Sequence, residues 1–137
     1  MNRFHGRITS IESGDHLSLV EVVVGQNSFT SMMLDTPQSA PYLSVGNEVV
    51  VLFKETEVSL AKNLSGMLSL RNRVLCTVQQ IRSGDILSEV IMDCDGKPVT
   101  SIITTRAVKR LELQEGDVVE ALVKANEVSL MEWVGGE

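Results

Sequence analysis

Aromatic residues are scarce in this chain, with one Trp, one Tyr and three Phe among 137 residues. A core must therefore be built mostly from Val, Leu, Ile and Met, and a surface on which bases stack has few rings to draw on. Basic residues are outnumbered, 12 Lys and Arg against 18 Asp and Glu, for a net charge of −6. Nucleic-acid binders gather positive charge on one face because phosphate contacts supply most of their affinity, so a nucleic-acid partner is not expected. A small anion is still compatible, since a local pocket of N–H donors outweighs a modest overall charge. Cysteine is limited to Cys76 and Cys94, which lie in strand-like patterns without CxxC spacing or a His partner. They read as small buried hydrophobes in a reducing compartment. His5 and His16 complete no metal motif. No apolar run is long enough to span a bilayer, and "MNRFHGRITSI" lacks the apolar stretch of a signal peptide. A cytoplasmic protein without a membrane partner is expected.

The catalytic signatures are missing as well. The chain contains no G-x-x-x-x-G-K-[ST], G-x-S-x-G or H-E-x-x-H, no Cys/His zinc set and no convincing acid/base pair. Its Asp residues fall mostly at turns, their ordinary place. An enzyme is not expected, nor is an organic cofactor or a bare metal ion.

What the chain does have is itself, twice. A shift of 70 residues aligns the halves without a gap: Asn2-Arg3 on Asn72-Arg73, Ser13-Gly14-Asp15 on Ser83-Gly84-Asp85, and Thr30-Ser31 on Thr100-Ser101. On the same diagonal Gly46 meets Gly116, Lys54 meets Lys124, and "EVSL" at 57–60 meets "EVSL" at 127–130. This is an internal duplication. It places a first repeat at 1–66 and a second at 67–137, with the short stretch 64–70 as the only linker candidate.

Each unit reads as short strands. Two β-rich runs meet at the Ser-Gly-Asp turn, and in the second copy Asp95-Gly96 signals a further hairpin. "VTSII" starts a third strand, "TTRAVKRLEL" at 104–113 has the apolar spacing of a short helical turn, and Gly116-Asp117 introduces a fourth strand over 118–124. A corner at Ala125-Asn126 leads to a fifth strand over 128–133. The expected fold is all-β: two tandem OB-like Greek-key barrels of about five strands, each with a short helical turn.

Three groups of polar residues recur at matching points. Thr100-Ser101 and Thr30-Ser31 each enter a strand after a turn, and read equally as strand residues or as hydroxyl donors to a ligand. Lys54 and Lys124 each close a fourth strand at the corner, where an ammonium beside backbone N–H groups suits a small oxyanion. Ser69, Arg71 and Asn72 put hydroxyl, guanidinium and amide donors within four residues at the entrance to the second repeat.

These pieces carry a family resemblance. "SLRN" at 69–72, "TSII" at 100–103 and "VKANEV" at 123–128, echoed by "TSMM" at 30–33 and "FKETEV" at 53–58, are similar to the molbindin (Mop) domain of the TOBE group, here in tandem. The resemblance implies molybdate or tungstate as ligand, bound at subunit interfaces of a homo-oligomer, a trimer for di-domain members. It implies a storage or buffering role. Carried onto this sequence, it implies a site formed by Ser69, Arg71, Asn72, Thr100, Ser101, Lys124 and the backbone N–H of Ala125, with Thr30, Ser31, Lys54 and Thr56 as first-repeat counterparts. The copies differ where Glu55 follows Lys54 and Ala125 follows Lys124. A carboxylate is repelled by a dianion, so sites that depend on second-repeat residues are expected to be the better ones. The rival expectations are an assembly module of the same fold with lost or partial sites and, less well supported, a single-stranded nucleic-acid binder.

Overall fold

The two copies form two five-stranded sheets in the computed structural model, which describes residues 1–135. In each copy the first strand alternates without a break over its first eight residues. On β1 (Asn2–Ser13) Asn2, Phe4, Gly6 and Ile8 point inward, and on β6 (Asn72–Ser83) Asn72, Val74, Cys76 and Val78 do so. That period of two makes these segments half-buried strands.

The chain divides into two compact units. The first holds Met1, Arg3–Phe53 and the chain from Lys124 onward, and the second holds Asn2 and Lys54–Val123. In the first unit β1 is followed by β2 (Ser18–Val24), β3 (Asn27–Met33) and β4 (Glu48–Phe53), and the sheet runs β10-β4-β1-β2-β3, where β10 is Ser129–Glu132. In the second, β6 is joined by β7 (Leu87–Cys94), β8 (Lys97–Thr104) and β9 (Val118–Val123), and the sheet runs β5-β9-β6-β7-β8, where β5 is Ser59–Ala61. Each sheet curls into the half-open barrel expected of an OB-like domain.

The fifth strands are exchanged. β10, the last strand of the second repeat, pairs with β4 of the first, with Leu130 opposite Val51. β5, from the first repeat, pairs with β9 of the second, with Leu60 opposite Ala121. The compact units therefore cut across the repeats at 1–66 and 67–137. The sequence is blind to this exchange because both copies read Glu-Val-Ser-Leu at this point and either strand satisfies either edge.

The turns follow their chemistry. Gly14 and Gly84 each donate from the backbone N–H, to Leu17 O and Leu87 O at 2.8 Å, closing the two Ser-Gly-Asp turns. Asp95 and Gly96 both take positive φ (56° and 79°) between the paired residues Cys94 and Lys97, as a two-residue hairpin requires. The expected helical turn is an α-helix only in the second copy, α1 (Thr105–Arg110), where the Thr104 hydroxyl accepts from Ala107 N–H at 3.1 Å. In the first copy Pro37 and Pro41 bracket the same place, and one α-type bond remains, Ala40 N–H to Thr36 O at 2.8 Å. Pro41 has no N–H with which to continue it.

The two cores use different residues at equivalent positions. Phe4, Phe29 and Phe53 cluster in the first unit with ring centroids 5.7–5.8 Å apart, so all three Phe of the chain lie in one core. Their counterparts in the second unit are Val74, Val99 and Val123, all buried. Met92 and the pair Cys76 and Cys94 there stand where the first unit has Val22, Gly6 and Val24, returning some of the lost volume.

The cysteines are buried as expected, but they form a disulfide. The expectation of two separate thiols is thereby corrected. A register shift between Val78 and Gln80 moves the pairing of β6 with β7 by one residue, after which Thr77 faces Asp93. Continuing that register sets Cys76 opposite Cys94, with Cα atoms 4.3 Å apart. No spacing rule reveals a bulge of this kind.

Candidate functional site

In the second unit the Thr-Ser pair lies on β8, the edge strand of its sheet, against the corner that follows β4. That corner is a single 3-10 turn, Glu55–Glu57, introduced by Lys54. Glu57 N–H donates to Lys54 O at 3.0 Å and Lys54 N–H to the Glu57 carboxylate at 3.3 Å, which holds the lysine's backbone at the turn entrance while its side chain stays exposed. The Ser101 hydroxyl, fully buried, donates to Val58 O at 2.7 Å, pinning β8 to the end of the turn. Asn2 clamps the neighbouring residue: its amide NH2 donates to Thr100 O and its amide oxygen accepts from Thr100 N–H, both at 2.9 Å.

The first unit repeats this arrangement with the copies interchanged. Ser31 on β3, also fully buried, donates its hydroxyl to Val128 O at 2.5 Å. Val128 ends the 3-10 turn Ala125–Glu127, which Lys124 introduces, and Glu127 N–H donates to Lys124 O at 2.9 Å. Exposure along the two corners matches residue for residue, with Lys54 and Lys124 exposed, Glu55 and Ala125 half-buried, and Thr56 and Asn126 exposed.

The residues singled out from sequence thus come together in crossed combinations. Thr100 and Ser101 meet Lys54 and Thr56, while Thr30 and Ser31 meet Lys124 and Ala125. Lys124 and Ala125 do not share a compact unit with Thr100-Ser101, with which the sequence grouped them. Ser69 and Arg71 are exposed on the approach to β6 in the second unit, and Asn72 is buried at its start. Asn2 was not singled out. Its place on the repeat diagonal, opposite Asn72, was the available signal.

Both clusters offer donors, and their turns also carry carboxylates, Glu55 and Glu57 in one and Glu127 in the other. Within each turn the backbone bonds use the N–H groups of residues 57 and 58, or 127 and 128, and leave those of the first two turn residues out of the turn's own bonding. The lysine that introduces each turn carries an exposed side chain. Among the described residues no group of three or more His, Cys, Asp or Glu is arranged to hold a metal ion, and no helix is long and apolar enough to cross a membrane.

Comparison with known proteins bears on this geometry. The fold is a tandem pair of five-stranded OB-like units, each with a lysine-bearing corner set against an edge strand. The TOBE domain model matches residues 68–130. The cytoplasmic molybdate-binding protein ModG, solved with molybdate bound, superposes with a TM-score of 0.91 at 31% identity, covering 96% of each chain. The "Molybdenum transport protein ModE" of Herbaspirillum seropedicae is 29% identical over 90% of this chain, and the "Molybdenum-pterin-binding protein MopB" of Rhodobacter capsulatus is 30% identical over 94%. The chain spans about half the length of these two curated relatives, 47% and 49%. The chain belongs to the molbindin family of tandem Mop domains.

Proposed function

We propose that this protein binds molybdate or tungstate at the Thr-Ser/Lys clusters and serves to store or buffer the oxyanion in the cytoplasm. The observation that carries the reading is the pair of equivalent clusters, each built from a clamped edge strand and a lysine-bearing corner, in a chain that matches a molybdate-bound relative along nearly its whole length. Thr30, Thr100, Lys54, Lys124, Thr56 and the N–H of Ala125 supply donors. Ser31 and Ser101 set the distance between strand and corner, because their hydroxyl protons are already given to Val128 O and Val58 O. Ser69 and Arg71, both exposed, complete donor sets between subunits of a homo-oligomer, a trimer as the family resemblance implies, while Asn72 is buried at the start of β6. The protein acts by binding, not by catalysis.

Selectivity follows from the donor character. A cluster of N–H, hydroxyl and ammonium groups accepts a fully deprotonated dianion and leaves the proton of hydrogen phosphate without an acceptor. Sulfate is separated from molybdate by size alone. Calorimetric titration of the purified protein with molybdate, tungstate and sulfate tests the proposal. Saturable molybdate and tungstate binding with sulfate at least tenfold weaker is expected, whereas equal affinity for sulfate would remove the selectivity argument. Absence of any heat with molybdate would leave the assembly module as the better reading, one that the buried Ser31 and Ser101 pins also fit.

A further inference from the structure

The duplication supplies an internal control for the outer face of the first sheet. In the second unit Arg73 on β6 grips the Glu120 carboxylate of β9 with both arms of its guanidinium, Nε to Oε2 at 2.8 Å and Nη2 to Oε1 at 2.9 Å. On the repeat diagonal Arg3 stands in the place of Arg73, and Val50 in the place of Glu120. The arginine is kept and its carboxylate is gone. Arg3 is exposed on β1, and no carboxylate among the described residues is paired with it.

The surroundings have changed with it. Where the second unit has Leu75 and Asn63, the first has His5 and Trp133. Their rings stack with centroids 3.7 Å apart and planes within 5° of parallel. His5 Nε2 lies 3.0 Å from the Glu48 carboxylate, which orients the imidazole and, through the stack, the indole. Arg3, His5, Val50 and Trp133, with Phe4, line a groove of about 420 Å³, a size that holds a small organic molecule. The groove combines a guanidinium fork without a carboxylate, an apolar surface at Val50 and an oriented indole.

We propose that this groove binds a small aromatic carboxylate. The ligand's carboxylate takes the place on Arg3 that Glu120 takes on Arg73, and its ring lies against Val50 and Trp133. A carboxylate matches the planar fork with two parallel hydrogen bonds, and an aromatic ring adds buried area and offset stacking on the indole. An uncharged ring leaves the guanidinium unanswered, and an inorganic anion leaves the apolar surface uncovered. The site differs in chemistry from the two oxyanion clusters and does not depend on them.

Trp133 is the only tryptophan, so the indole N–H signal in the nitrogen-labelled full-length protein reports on this groove alone. Titration with sodium naphthoate should move that signal saturably. Sodium acetate and naphthalenemethanol, which carry the carboxylate and the rings separately, should each bind at least tenfold more weakly. Arg3→Gln and Arg3→Lys should each weaken naphthoate binding at least fivefold, the lysine variant because it keeps the charge and loses the fork. Val50→Glu reinstates the pair of the second unit and should close the groove to naphthoate. Thermal unfolding checks that the variants are folded, and the two Arg3 variants carry the test if Val50→Glu is not. Excess sodium molybdate should leave the naphthoate affinity within twofold. No saturable shift with naphthoate at millimolar concentration overturns the inference. So does binding of naphthalenemethanol or acetate as tight as that of naphthoate, naphthoate binding unmoved in both Arg3 variants, or displacement of naphthoate by molybdate.

Discussion

Gly6 and Cys76 stand at the same place in the two copies, and each is tied to its own surroundings. A Cβ on Gly6 would lie 2.6 Å from Val22 Cγ1, 2.7 Å from Val23 O and 2.8 Å from Val24 Cγ2. One of these is a backbone oxygen, so the crowding cannot be relieved by a rotamer change alone. Gly6→Ala should therefore cost about 1–3 kcal/mol, the usual range for overpacking, read as a lowered urea midpoint with an unchanged slope. In the second unit the same position holds a cysteine bonded to Cys94 across 18 residues of chain. Thiol titration of the unfolded, unreduced protein should find no free thiol. Reduction should then lower stability by about 3 kcal/mol, the loop-closure value for a loop of this size. Two free thiols before reduction would show that the bond does not form.

At the scale of the element, the exchanged fifth strand is the feature most open to test. Leu130 is buried in the first unit, opposite Val51 on β4. Leu130→Ala should cost about 2–4 kcal/mol. In a double-mutant cycle Val51→Ala and Leu130→Ala should couple by about 0.5 kcal/mol or more, as neighbours in contact do. Strict additivity would show that β10 pairs elsewhere. Trp133, the only tryptophan, follows β10 and stacks on His5 of β1 with ring centroids 3.7 Å apart, so its emission reports on whether that end of the sheet is intact. The β-elements themselves were legible in sequence, because alternation over β1 and β6 and the Asp95-Gly96 hairpin are local signals. The partner of β10 was not legible, since strand pairing is decided by the path of the chain through the corner at Ala125–Glu127.

For the whole molecule, acid is expected to destabilise the fold from identifiable carboxylates. The hydrogen bond from Gln114 N–H, then that from the Lys62 ammonium, hold the Asp117 carboxyl below its ordinary range, and the Arg73 guanidinium does the same for Glu120. Because the folded state binds these protons less readily than the unfolded state, the stability they contribute is present above the ordinary carboxylate range, near pH 4, and is lost as pH falls below it. Urea midpoints measured from pH 6 down to pH 3 should fall, and Asp117→Asn should flatten part of that fall. An unchanged slope in the variant would show that other carboxylates carry the acid response.

The sequence alone determined the duplication, the all-β class, the strand and turn positions, and the donor-rich residues, because repeats, alternation and turn chemistry are all local or periodic. Only the tertiary structure decided which copies are combined in each cluster, that Asn2 clamps Thr100, and that Cys76 faces Cys94. Each of these depends on a bulge or a corner that redirects the chain, and a displacement of one residue or one strand leaves no trace in the pattern of apolar and polar residues.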